Sequence, residues 1–89
     1  MVKTAVNIEE ARAALALEEA GEGLDGAEGE AVLDFSAVLR VDASTLRALE
    51  ELARIAEKKA VKVILRGVNV DVYKVLKLVK LTRRFSFVS

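Results

Sequence analysis

Apolar positions recur along the chain with two different periods, and these predict strands and helices in alternation. Residues 31–35 and 61–65 are short, mostly apolar stretches, a pattern typical of buried strands. Between them, apolar residues recur at helical spacing over about residues 45–59, and Asp42 precedes this stretch as a candidate N-cap. A strand, a helix of about 14–16 residues and a second strand form a βαβ crossover, so the two strands should run parallel.

The N-terminal third predicts one strand and one helix. Residues 3–6 form a weak strand candidate. Asn7 is the expected N-cap of the next helix, with Glu10 three residues later as in a capping box. Residues 8–20 are rich in alanine, leucine and glutamate, which favour a helix, and Gly21 is expected to end it.

A glycine-rich segment follows, and its residue types match a phosphate-binding pattern although its structural context does not. Residues 21–26 read G-x-G-x-x-G, but the phosphate-binding form of this pattern follows a strand and opens a helix. Here it follows a predicted helix and carries Glu22 and Asp25, and further acidic residues come after it. We therefore predict a solvated and mobile loop over residues 21–30, with no nucleotide site.

The C-terminal part predicts a last helix and a closing strand. The helix is expected to open at Asn69 or Asp71 and to run to about Leu81, and residues 85–88 read as a strand. Taken together, the pattern predicts an α/β sandwich with an about four-stranded mixed sheet and about three helices packed on one face. Residues 1–89 are expected to form a single domain, in line with the length.

The composition argues against catalysis and against a metal site. The chain contains no cysteine and no histidine, so serine–histidine, cysteine–histidine and histidine-ligated zinc sites are excluded. We predict no catalytic residue, no metal and no cofactor. Hydrophobic residues make up 53% of the chain, but charged residues interrupt every apolar run well before the roughly 20 residues that a membrane span needs. No signal peptide is recognisable at the start, and a cytoplasmic protein without membrane insertion is expected.

The charge is balanced overall but divided along the sequence. Residues 1–36 hold nine acidic residues against two basic ones, a net charge of −7, and the rest of the chain carries +7. The favoured interpretation is that the two halves neutralise each other in the fold; the alternative is a charged binding face. Lys74, Lys77 and Lys80 recur on the last helix, but without interleaved aromatic residues they predict a solvated face and no nucleic-acid binding.

Four segments in order resemble the STAS family, the sulphate-transporter and anti-sigma-factor-antagonist domains. Asp34-Phe-Ser36 resembles the Asp-Leu-Ser that ends a strand in that family, and Val41-Asp-Ala-Ser-Thr-Leu46 resembles the following Val-Asp-Ser-x-Gly-Leu. Gly67-Val-Asn-Val-Asp-Val-Tyr73 is similar to the small STAS subunit of the bacterial lipid-asymmetry ABC transporter, and residues 85–88 match a closing Phe-x-Val strand. The resemblance implies a bacterial protein that binds another protein.

The resemblance also implies where the partner binds. A regulatory loop is expected at the start of the central helix, with the predicted residues Arg40, Asp42, Ala43, Ser44, Thr45 and Arg47. In the family, the residue after the aspartate is often a serine or threonine that a partner kinase phosphorylates. Here that position is Ala43, and Ser44 lies one residue later, so no phosphoswitch is expected at the family's position.

Two functions follow from the resemblance. The first is an anti-sigma factor antagonist-like regulator that binds an anti-sigma factor or a kinase-like ATPase. The second is an accessory STAS subunit of a bacterial lipid-transport ABC complex, which binds the ABC ATPase.

Overall fold

Four strands and three helices alternate along the chain. The computed structural model describes residues 6–26 and 29–88. The strands are β1 (Val6–Asn7), β2 (Glu30–Asp34), β3 (Lys62–Arg66) and β4 (Ser86–Val88). The helices are α1 (Ala13–Glu22), α2 (Ala43–Lys58) and α3 (Val70–Leu78).

The described sheet has the order β1-β2-β3-β4, and every neighbouring pair is parallel. The prediction of a mixed sheet was therefore wrong, while the α/β class with four strands and three helices is confirmed. The physical reason is that each strand is followed by a helix that returns the chain to the strand's starting edge. Since such crossovers are right-handed and the strand order follows the chain order, all three helices lie on one face.

The core lies between that face and the helices. On α2 the predicted stripe is confirmed, since Leu49, Leu52, Ala53 and Ala56 are buried. Leu33 of β2 pairs in register with Leu65 of β3, and both point into the core. No helix within residues 6–26 and 29–88 covers the opposite face of the sheet, and the residues described there are half-buried or exposed.

The start of the chain differs from the prediction. Asn7 lies in β1, where it pairs with Asp34, and does not cap a helix. A 3₁₀ turn over Glu10–Arg12 precedes α1, and residues 3–5 of the predicted first strand lie outside the described residues. Gly21 was expected to end the helix but lies within α1, where a Cβ atom would come within 3.2 Å of Ile55 Cδ1. The glycine therefore allows α1 to approach α2 closely.

The predicted loop over residues 21–30 is more ordered at its start than expected. A 3₁₀ turn, Gly23–Gly26, follows α1 directly, and the side chain of Leu24 within it is buried in the core. The burial of Leu24 was not predicted, because the residues around it in the sequence are polar or glycine. Residues 27–28 lie outside the described residues, and the mobility of the segment stays a prediction.

Both α2 and α3 end in a left-handed turn on a residue other than glycine. After α2, Ala60 has a φ of 56°, the Ala60 amide donates to the Glu57 carbonyl and the Val61 amide donates to the Ala56 carbonyl. After α3, Lys80 has a φ of 63° with the same hydrogen-bond pattern. This is the Schellman motif, in which glycine is the preferred residue at the left-handed position.

We predict that Ala60→Gly raises the free energy of unfolding by about 0.5–1 kcal/mol, because glycine adopts this φ without the steric cost that a Cβ atom imposes. Urea denaturation measures the change. Lys58→Gly is the control, since Lys58 lies in the last turn of α2 and glycine there should destabilise by about 0.5–1 kcal/mol. If both variants lose stability, the left-handed turn at Ala60 is not as described.

Candidate partner-binding loop

The connection between β2 and α2 lies at the carboxyl-terminal edge of the sheet, where parallel α/β folds place their binding residues. Asp34 ends β2 and organises the start of this connection. Its Oδ1 accepts hydrogen bonds from the Ser36 amide at 2.9 Å and from Ser36 Oγ at 2.6 Å. Its Oδ2 accepts a hydrogen bond from Arg66 Nη2 at 3.0 Å. The carboxylate thus joins the loop to the neighbouring strand β3.

Asp42 organises the other end of the connection. It is the N-cap of α2, as predicted, and its Oδ1 accepts from the Thr45 amide at 2.8 Å and from Thr45 Oγ1 at 2.9 Å. The Ser44 hydroxyl donates to the same oxygen at 2.8 Å. Sequence reasoning did not anticipate that one carboxylate oxygen would collect three donors.

These hydrogen bonds lower the pKa of both carboxyl groups. The hydroxyl and amide of Ser36, assisted by Arg66, lower the pKa of Asp34 from 3.8 to about 2. The Thr45 amide, followed by the hydroxyls of Ser44 and Thr45, lowers the pKa of Asp42 from 3.8 to about 2. Both groups are therefore fully ionised near neutral pH.

The lowered pKa values predict a specific acid sensitivity. A carboxyl group whose pKa is lower in the folded than in the unfolded state contributes stability above the unfolded pKa and loses it as pH falls through the folded pKa. We therefore expect the urea midpoint to fall between about pH 4 and about pH 2. In Asp34→Asn and Asp42→Asn this fall should be smaller, because one titrating group is absent. An unchanged pH profile in both variants would contradict the hydrogen-bond networks described above.

Glu10 and Asn69 hold the middle of the connection from outside. Glu10 Oε1 accepts from the amides of Leu39 at 2.7 Å and Arg40 at 2.6 Å. Asn69 Nδ2 donates to the carbonyls of Val38 at 3.4 Å and Leu39 at 3.3 Å. Asn69 also caps α3, since its Oδ1 accepts from the Val72 amide at 2.7 Å, which confirms the predicted helix start.

Sequence reasoning missed both long-range contacts. Glu10 was expected in a capping box, and Asn69 was expected only as a helix cap. No local pattern marks either role, because Glu10 lies 29 and 30 residues from the amides that it binds.

These contacts fix the backbone of an exposed apolar residue. The amide and the carbonyl of Leu39 are both hydrogen-bonded, yet its side chain is 64% exposed. Of the residues predicted to bind a partner, five are exposed: Arg40, Asp42, Ala43, Ser44 and Arg47. Thr45 is the exception, because it is 5% exposed and its hydroxyl faces Asp42. We use the term docking loop for residues 36–45.

A shallow groove borders the docking loop. It lies between the start of α1 and the start of α2, has a volume of about 300 Å³ and is lined by residues 10–15 together with Asp42, Ser44 and Thr45. This volume is at the lower limit of small-molecule pockets. Within residues 6–26 and 29–88, no group of three or more acidic side chains could hold a metal ion. No helix in the same ranges is long and apolar enough to cross a membrane.

Comparisons with known proteins agree with this architecture. The model of the STAS domain family matches residues 3–89. A crystal structure of a candidate anti-sigma factor antagonist from Thermotoga maritima superposes with a TM-score of 0.72 at 22% identity, over 98% of this chain and 74% of that one. That crystal structure is of the protein TM1081. An NMR structure of TM1081 gives a TM-score of 0.71 at 18% identity, over 98% of this chain and 70% of that one.

No curated protein matches the chain. At these identities the two solved structures establish the fold, and the family assignment rests on the family model, which spans nearly the whole sequence. The strand–loop–helix around Asp34 and Asp42 is the part of the chain in which the family's motifs were expected. The chain belongs to the STAS domain family.

Proposed function

We propose that this protein is a non-catalytic interaction module, an anti-sigma factor antagonist-like regulator that acts in the cytoplasm. It binds a protein partner through residues 40–45 of the docking loop and the exposed face of α2. The observation that carries the proposal is the position of Leu39 and Arg40. Both side chains are exposed, while their backbone is held by Glu10, in the 3₁₀ turn before α1, and by Asn69, the N-cap of α3.

A loop held in this way suits binding. Association costs free energy when loops and side chains must be ordered, and a loop that is fixed beforehand avoids much of that cost. Leu39 offers an apolar anchor, Arg40 follows it with an exposed positive charge, and Arg47 adds a second exposed positive charge on α2. Among the described residues these two arginines have no ion-pair partner. The fitting partner surface is therefore apolar with an acidic rim.

The carboxylates of the site are poorly suited to catalysis. A general acid or base works best when its pKa lies near the working pH. The pKa values of Asp34 and Asp42 are about 2, and their oxygens are occupied by structural hydrogen bonds. Together with the absence of histidine and cysteine, this supports a binding role without turnover.

We further propose that binding is not switched by phosphorylation at the family's position. Ala43 has no hydroxyl group. Ser44 has one, but it donates to the ionised carboxylate of Asp42. A phosphate on Ser44 would place nearly two further negative charges beside Asp42 and remove a donor from it. The protein would then bind its partner constitutively, and the amount of complex would be controlled by the abundance of the partner or by competing binders.

Intact-mass measurement tests this proposal. The protein is incubated with ATP and a purified kinase-like ATPase of the anti-sigma type, and we expect a stable complex without a gain in mass. Ala43→Asp places a negative charge where family members carry the phosphate and should abolish the complex. A stoichiometric gain of about 80 Da that disappears in Ser44→Ala would overturn constitutive binding. A complex that tolerates Ala43→Asp would overturn the docking loop as the binding site.

The second candidate function is the accessory subunit of a bacterial lipid-transport ABC complex. It is favoured by the Gly67–Tyr73 stretch, in which Asn69 supports the docking loop directly. The partner would then be the ABC ATPase. Titrating the protein with each purified ATPase separates the two functions, because only the physiological partner should bind with a 1:1 stoichiometry that is lost in Ala43→Asp.

A further inference from the structure

The fold separates the two charged parts of the chain. Because the strand order is β1-β2-β3-β4 and every crossover lies on one face, α1 and α3 flank α2 on opposite sides. The acidic α1 and the basic α3 therefore do not face each other. The favoured sequence interpretation, in which the two halves neutralise each other, does not hold for these helices.

The outer face of α1 is apolar at its start and acidic thereafter. Leu15, Glu18, Glu19 and Glu22 are all exposed and follow the spacing i, i+3, i+4 and i+7, which places them on one face. This face lies outside the buried side of α1, which carries Ala13, Leu17 and Gly21. Leu15 is 47% exposed, and the three glutamates have no ion-pair partner among the described residues.

The outer face of α3 has the same spacing with the opposite charge. Val70, Tyr73, Lys74 and Lys77 are exposed at i, i+3, i+4 and i+7, and Leu78 lies beside them. Val70 is 68% exposed and Leu78 is 81% exposed. The Tyr73 ring packs edge-on against Phe87 of β4 at 5.2 Å, so this face lies over the edge strand of the sheet. Neither lysine has an ion-pair partner in the described part of the chain.

We propose that these two faces bind each other between copies of this chain, with the α3 face of one molecule on the α1 face of the next. If both helices point the same way, Val70 lies opposite Leu15. In this register Lys74 lies opposite Glu19, and Lys77 lies opposite Glu22. The match combines an apolar contact with charge pairs in one register, which a general electrostatic attraction does not provide. The exposed apolar side chains, which are otherwise unaccounted for, become buried.

The geometry also determines the type of assembly. Because the two faces lie on opposite flanks of α2, two molecules cannot satisfy both contacts with each other. The contact is therefore heterologous and builds head-to-tail oligomers. The charged residues of the two faces, Glu19, Glu22, Lys74 and Lys77, lie outside the docking loop, so their reversal tests self-association separately from partner binding.

Sedimentation velocity on the whole chain tests the proposal. At about 0.01 M salt, where the Debye length is about 30 Å, we expect a mean sedimentation coefficient that rises with protein concentration. At about 1 M salt, where the Debye length is about 3 Å, the association should weaken about tenfold or more. A protein that stays monomeric at low salt and high concentration would overturn the proposal.

Charge-reversal variants, measured in the same way, test whether these two helix faces form the contact. Lys74→Glu/Lys77→Glu and Glu19→Lys/Glu22→Lys should each abolish self-association, because Glu19 and Glu22 are the residues opposite the two lysines. The chain with all four substitutions has the wild-type net charge and should associate again, because the two faces are complementary once more. Lys58→Glu/Lys62→Glu is the control, since it makes the same charge change as the α3 variant at exposed positions outside both faces and should leave association intact.

Two further results would contradict the proposal. One is a four-substitution chain that stays monomeric although it is folded by circular dichroism. The other is a wild type that is monomeric while its α3 face binds vesicles of anionic lipid, a binding lost in Lys74→Glu/Lys77→Glu. That result would assign the face to a membrane surface. Neither result depends on the docking loop, so the proposed function is tested separately.

Discussion

Gly67→Ala is expected to lower the free energy of unfolding by about 2–4 kcal/mol. Gly67 follows β3 with a φ of 73°, a conformation that costs a residue with a Cβ atom about 1–2 kcal/mol. An added Cβ would also lie 3.0 Å from the Cβ of Ser36 and 3.3 Å from its Cα and backbone nitrogen. Backbone atoms cannot rotate away, so the docking loop would have to move, at a further cost of about 1–3 kcal/mol. Urea denaturation measures the change.

Gly23→Ala provides the matched control. Gly23 has a φ of −79°, and a Cβ atom there would meet no neighbour within 4 Å. Alanine at such a position should stabilise the protein by about 0.4–1 kcal/mol, because it restricts the unfolded chain. Equal effects of the two substitutions would contradict the close approach between Gly67 and Ser36.

Phe35→Ala is expected to have the largest effect, a loss of about 3–5 kcal/mol in the free energy of unfolding. Phe35 is fully buried directly after β2, and its amide donates to the Arg66 carbonyl at 2.7 Å. Removing the ring leaves a cavity in the core next to the start of the docking loop. If the alanine variant does not fold, Phe35→Leu still tests the point, with an expected loss of about 1–2 kcal/mol.

Leu39→Ala should separate stability from binding. Leu39 is four residues from Phe35, but its side chain lies largely in solvent, so stability should change by less than about 0.5 kcal/mol. Partner binding should weaken about tenfold or more, because an apolar anchor is lost. A Leu39→Ala variant that is as destabilised as Phe35→Ala would show that Leu39 belongs to the core and not to a docking surface.

The sequence was most informative where local physics decides the structure. Asp42 was predicted to cap α2, and the apolar stripe on that helix was predicted to be buried; both are observed. Asn69 was likewise predicted to open α3. Caps and helical periodicity depend on residues within one or two turns, so a single sequence contains the necessary information.

Long-range contacts were not accessible in the same way. The bonds from Glu10 to the docking loop, and from Arg66 to Asp34, join residues that are about 30 positions apart. The same applies to Gly21, whose role depends on how closely α1 approaches α2. The sheet was predicted as mixed although a helix between each pair of strands favours parallel pairing, and that conclusion was open to sequence reasoning.

The most direct test of the docking loop is an NMR titration. The isotopically labelled chain is titrated with its unlabelled ATPase partner, and the amide shifts are mapped on the structure. The account predicts that the largest changes cluster at residues 38–47 and along the exposed face of α2. It also predicts small changes on the outer faces of α1 and α3. Large changes confined to α1 or α3, with none at residues 38–47, would contradict the account.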